Sequence, residues 1–228
     1  MKQNQKENKT LILAIESSSP TCSIALSEDD KIIAEITLFK KNLHDKVLAN
    51  LIKQLLSNLN LKVEELNAVA ISAGPGSFTG LRVGASLAKG IAFDSNIKLI
   101  PIPTMEGIAI SSAIYAKQLN CSNIVAAIQS HQDLFYLQEF DTSGSQLSEI
   151  KMLNYQETKN IIQDQTLVIA SNKFTDFGIN LEYFNSLKAS FLLKPAYDKF
   201  LNNLYVDSNS FVPLYIQDFK LKKSNKSE

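Results

Sequence analysis

The succession of sequence patterns predicts an α/β protein of two lobes. Three observations carry this: a meander of short strands opens the chain, helical and strand patterns then alternate, and after Asn120 the same kind of succession restarts. We expect a first lobe over residues 1–110 and a smaller second lobe over 111–228, joined near residues 104–123 without a linker-like segment.

The first three strands are short apolar or alternating runs at residues 11–17, 22–27 and 31–38. They are split by Ser17-Ser18-Ser19-Pro20 and by Glu28-Asp29-Asp30, whose small and acidic residues favour turns. Over residues 43–59, Val47, Leu48, Leu51, Ile52, Leu55, Leu56 and Leu59 follow helical spacing. Their arc spans roughly 180°, wider than the stripe of about 100° that a surface helix needs for its own core. Part of that face is therefore available to a partner. A strand over 67–73, a helix over 79–93, a strand over 98–102 and a helix over 104–117 complete the first half. The second half reads as strands at 124–128 and 134–141, a further strand within 146–153, a helix at 155–163, a strand at 167–170 and a helix at 197–205.

Composition narrows the function classes. Lys+Arg and Asp+Glu both number 23, so no broad basic surface offers independent affinity for nucleic acid. The two cysteines, Cys22 and Cys121, are far apart and read as buried reduced thiols in a cytoplasmic protein. The apolar stretch at residues 11–15 is too short for a signal-peptide core or a membrane span. The lysines between 220 and 226 read as a solvated tail, with contact to RNA or another acidic surface as the lesser alternative.

The segment Gly74-Pro75-Gly76-Ser77-Phe78-Thr79-Gly80-Leu81-Arg82 is the most specific feature, and it holds the chain's single arginine. A strand, a glycine loop and a helix in that order form the usual setting for phosphate binding. The letters disagree with that setting. Leu81-Arg82 stands where a P-loop needs Lys-Ser/Thr, and Thr79 breaks the dinucleotide pattern of three glycines. On the helix that follows, Gly80, Gly84, Ala88 and Ala92 form a strip of small residues. Such a strip admits close approach of a second backbone, either within the chain's own fold or from a partner. Arg82, Ser86 and Lys89 lie on the opposite, polar side. An arginine in a first helical turn opposes the helix dipole, which makes an acidic or carbonyl partner more expected than for an arbitrary surface arginine, with plain exposure the alternative.

Other constellations are thinner. Glu16, Ser17 and Ser18 end the first strand, where a carboxylate and hydroxyls either hold a metal-bound phosphate or simply satisfy their own turn. His44 and His131 are too distant in sequence to form a zinc-type pair. No serine stands in a nucleophile elbow, and Phe135, Tyr136 and Phe140 read as core.

Set in order, Leu13-Ala14-Ile15-Glu16-Ser17-Ser18, Cys22-Ser23-Ile24-Ala25-Leu26 and residues 73–84 closely resemble the TsaB (YeaZ) family. The ending Pro213-Leu214-Tyr215 with Lys222-Lys223 is similar to the family's C-terminal pattern, and the likeness is weak over 140–205. The family usually shows Ile-Asp-Ala-Arg and then Val-Tyr where this chain has Ile128-Gln129-Ser130-His131 and Phe135-Tyr136.

The resemblance implies an actin-like fold of the sugar-kinase/Hsp70 type. It implies a catalytically silent subunit of the bacterial machinery that makes threonylcarbamoyladenosine in tRNA. That subunit pairs with and activates the TsaD transferase, is joined by the ATPase TsaE, forms homodimers alone and meets tRNA only in the complex. ATP and a metal are expected on partner subunits and none on this chain; Glu16, Ser17 and Ser18 would be a vestigial site. The implied interface comprises His44, Val47, Leu48, Leu51, Leu55, Gly80, Arg82, Gly84, Ala85, Ala88, Lys89 and Ala92. The competing reading is an independent nucleotide-dependent transferase or metallopeptidase. The scarcity of glycine after Gly107, where only Gly144 and Gly178 remain, speaks against a second-lobe adenosine site.

Overall fold

The computed structural model of the chain describes residues 9–40 and 44–216, and for residues 44–46 the backbone alone. The lysine-rich C-terminal tail lies outside the described residues.

Strands β1 (Leu11–Glu16), β2 (Cys22–Glu28), β3 (Lys31–Leu38), β4 (Ala68–Ser72) and β5 (Lys98–Ile102) form one sheet in the order β3-β2-β1-β4-β5. β1 is antiparallel to β2 and β2 to β3, whereas β4 runs parallel to both β1 and β5. The second sheet contains β6 (Asn123–Gln129), β7 (Leu134–Phe140), β8 (Lys151–Asn154), β9 (Thr166–Ile169) and β10 (Ile179–Asn180). Its order, β10-β9-β6-β7-β8, and its strand directions are those of the first sheet. One topology thus occurs twice in one chain, the architecture of the actin-like fold.

Strand alternation sorts the first sheet into two faces. Leu13, Ile15, Ile24, Leu26, Val69 and Ile71 lie under α1 (His44–Asn58) and α2 (Phe78–Ala92). The opposite face is built from smaller side chains, Ala14, Ala25, Ala68 and Ala70 with Ile12 and Ile100, and packs on α5 (Ser190–Leu201). Alanines in these strands let the α5 backbone come close, while the bulkier face fills the wider gap beneath two helices. α3 (Thr104–Gln118) lines the second core with Met105, Ile108 and Ala116 against Ile124, Ala126, Leu167 and Ile169.

The second lobe is reduced. α4 (Tyr155–Ile161) is its one helix between β8 and β9, and the connection from β9 to β10 contains none. The place that the glycine loop and α2 occupy in the first lobe is therefore held by turns in the second.

α5 corrects the expected helix at 197–205. It starts at Ser190 and includes Pro195. Proline cannot donate to the carbonyl four residues earlier. That carbonyl, of Phe191, instead accepts from the Ser111 hydroxyl on α3 at 3.2 Å. The start of α5 is also capped from afar, since Glu35 Oε1 on β3 accepts the Ser190 hydroxyl at 2.7 Å and its amide at 3.2 Å. A cap 155 residues away leaves no local sequence mark.

Candidate functional site

The glycine loop leaves β4 through Gly74, whose φ of +103° requires glycine. A side chain there would also meet the Leu214 carbonyl oxygen at 2.6 Å. Leu214 donates its amide to Ala73 O at 2.7 Å, so the C-terminal strap closes over the loop. Ser77 then caps α2, its hydroxyl accepting the Gly80 amide at 3.3 Å.

One side of the loop is packed on the end of β1. Ser77 donates its amide to Ser18 O at 2.6 Å, and a Cβ on Gly76 would collide with Ser18. The Ser17 hydroxyl donates to Gly80 O at 2.9 Å. Glu16 is buried, and its Oε1 accepts both the amide and the hydroxyl of Ser18 at 2.6 Å. Burial pushes the Glu16 carboxyl up to about 7, with the Ser18 hydrogen bonds pulling the other way. The same apolar surroundings, and then the Glu16 charge, push the Cys22 thiol up to about 11. Glu16 and Ser18 thus satisfy one another within the turn, and the Ser17 hydroxyl is engaged by Gly80.

The small-residue strip is likewise decided. Gly80, Gly84, Ala85, Ala88 and Ala92 are all buried in this chain. A Cβ on Gly80 would overlap the Ser17 carbonyl oxygen, and one on Gly84 would overlap the Ser17 hydroxyl and press on Ile71. The close backbone approach is between α2 and β1, so these five residues are corrected from partner surface to internal packing. Leu48 and Leu55 on α1 are corrected with them, at 1% and 2% exposure. The side chain of His44 lies outside the described residues.

Of the expected interface, Val47, Leu51, Arg82 and Lys89 reach the surface, Arg82 exposed and the others half-buried. Val83, Leu87 and Ile91, outside the expected interface set, form a half-buried apolar strip beside exposed Arg82, Ser86 and Gly90. A Cβ on Gly90 would meet nothing within 4 Å. Leu87 and Ile91 face Ile52 and Leu56 across a groove of about 660 Å³ between the two helices.

Arg82 stacks on its own helix. Its guanidinium carbon lies 5.1 Å from the centroid of the Phe78 ring, which in turn meets Tyr215 of the C-terminal strap at 4.9 Å. Phe78 belongs to the glycine segment itself, whereas Tyr215 was marked only by the resemblance of the Pro213-Leu214-Tyr215 ending.

A cleft of about 1240 Å³ separates the two lobes. Ser18, Thr21 and Ser77–Gly80 line its first-lobe side, and Gln129, His131, Tyr136, Lys173 and Asn185 the other. Carboxylates are missing from this lining, and among the described residues no group of three His, Cys, Asp or Glu side chains is placed to hold a metal ion. Cys22 and Cys121 are buried and unbonded. No helix among the described residues is long and apolar enough to cross a membrane.

Comparison with known proteins follows the same lines. The family model for TsaD, tRNA N6-adenosine threonylcarbamoyltransferase, matches residues 31–196. The tRNA threonylcarbamoyladenosine biosynthesis protein TsaB of Haemophilus influenzae is 27% identical over 230 residues, covering 93% of this chain and 95% of that protein. The chain belongs to this family, in its TsaB (YeaZ) branch. The Bacillus subtilis TsaB is 37% identical over 99 residues, 43% of each chain. The solved structure of YeaZ from Pseudomonas aeruginosa superposes with a TM-score of 0.75 at 20% identity, covering 91% of this TsaB-family chain and all of that one. A second structure from that organism, titled an uncharacterized protein with similarity to peptidase YEAZ, has a TM-score of 0.76 at 19% identity. Both likenesses concern the fold.

Proposed function

We propose that this chain is a non-catalytic subunit of the machinery that makes threonylcarbamoyladenosine in tRNA, pairing its α1–α2 face with a TsaD-type transferase and activating it. One observation carries the reading: Gly76 and Gly80 are taken up by close packing on Ser18 and Ser17, while the outer face of the same helix is open at Val83, Leu87 and Gly90. The glycine loop therefore shapes a docking helix. The names of the relatives supply the pathway, and the TsaD family model supplies a partner of the same ancestry. In this reading ATP and metal chemistry reside on the transferase and on a TsaE-type ATPase that joins the assembly in the cytoplasm. A homodimer of the isolated chain would use the same face and compete with the transferase.

Co-purification with the TsaD homologue of the same organism tests the pairing. Gly84→Leu is unsuitable, because its side chain would enter the core. Gly90→Trp adds bulk where there is open space, so the variant should fold normally and lose the transferase. A folded Gly90→Trp that retains full binding sinks the α2 face as the interface. Calorimetry of the isolated chain with ATP and Mg²⁺ addresses the rival enzyme reading, which the inter-lobe cleft keeps open. We expect no stoichiometric heat; tight binding would favour an enzyme.

A further inference from the structure

The α1–α2 face carries a charge that the chain as a whole does not. The complete sequence is balanced at 23 cationic and 23 acidic residues. Among the described side chains of α1 and α2, the charged ones are Lys53, Arg82 and Lys89, all cationic. The groove between them has an apolar floor from Ile52, Leu56, Leu87 and Ile91, with exposed Lys53 and Lys62 at its rim and no carboxylate in its lining. Glu64 and Glu65 lie on the 3₁₀ turn Val63–Glu65, where Glu65 accepts the Lys62 amide at 2.8 Å, and exposed Asp94 stands just beyond the end of α2.

We infer that this face is built for a partner protein whose matching surface presents an apolar side chain flanked by carboxylates, rather than for a second copy of this chain. The inference rests on the proposed pairing and gives the partner surface its chemistry. A second copy docked through the same helices would set lysine near lysine, and like charges across an interface select against that pairing. A partner with carboxylates turns the same lysines into attraction. The apolar floor favours a protein over a nucleic-acid backbone, which would leave the floor uncovered.

Two salt dependences of opposite sign are expected. Binding to the TsaD homologue should weaken as ionic strength rises from about 0.05 to about 0.5 M, while self-association of the isolated full-length chain should strengthen as repulsion is screened. Lys53→Glu/Lys62→Glu should fold normally and lose affinity for the transferase by roughly tenfold or more. Both are measured by sedimentation and by titration calorimetry. If wild type binds the transferase, unchanged binding of the double variant, or salt-insensitive binding, overturns the inference and leaves the proposed pairing standing. Failure of wild type to bind at all removes the pairing and the inference together. A self-association that weakens with salt would assign the face to a second copy. A double variant that loses affinity for tRNA alone, with transferase binding intact, would assign the lysines to nucleic acid; either result overturns the proposal.

Discussion

The Ser17 hydroxyl donates to the Gly80 carbonyl over 2.9 Å, joining the end of β1 to the first turn of α2. Through this contact α2 is held by its glycines against the end of β1.

Gly80→Ala should therefore destabilise the fold by roughly 2–3 kcal/mol, because the new methyl group overlaps a backbone carbonyl that cannot swing away. Gly90→Ala, on the exposed side of the same helix, should stabilise it by about 1 kcal/mol through helix propensity. Urea unfolding of the two variants reads out both signs.

Glu16 makes stability depend on pH. Its carboxyl is raised to about 7 in the fold against 4.5 without burial. The folded state thus holds its proton more tightly, so the stabilising contribution is full below about pH 4.5 and is lost as pH rises through 7. Glu16→Gln should remove that slope, and at pH 8 should be more stable than wild type by up to about 3 kcal/mol. Parallel unfolding slopes for the two proteins between about pH 5 and 8 would refute the assignment.

Ser111 and Pro195 should be energetically coupled. Ser111→Ala leaves Phe191 O without its donor and should cost about 1 kcal/mol. In a Pro195→Ala background the helix supplies its own amide, and the same change should cost much less. A thermal double-mutant cycle measures the difference.

Arg82→Ala should separate docking from folding. The side chain is exposed and its contact with Phe78 is worth about 0.5–1 kcal/mol, so the melting temperature should move little. Affinity for the transferase should fall clearly. Unchanged affinity would make Arg82 an ordinary surface residue.

Much of the fold could be read because its patterns are local. The β1–β3 meander, the helical spacing from Val47 to Leu59 and the restart after Asn120 each depend on neighbours within a few residues. The strap over Gly74, the Glu35 cap on α5 and the Ser111 donor to Phe191 bring together residues distant in sequence, and no period or composition announces them. The start of α5 was missed for that reason.

By itself the sequence determined the alternation of strands and helices, the glycine requirement of the turn after β4 and the small strip on α2, since backbone sterics and hydrophobic spacing act residue by residue. Only the tertiary structure decided which way the strip faces. A helical wheel ranks faces relative to one another and carries no direction in space. The direction came from the end of β1, where Ser17 approaches so closely that Gly80 and Gly84 have to lie inside, leaving Arg82, Leu87 and Gly90 on the outer side.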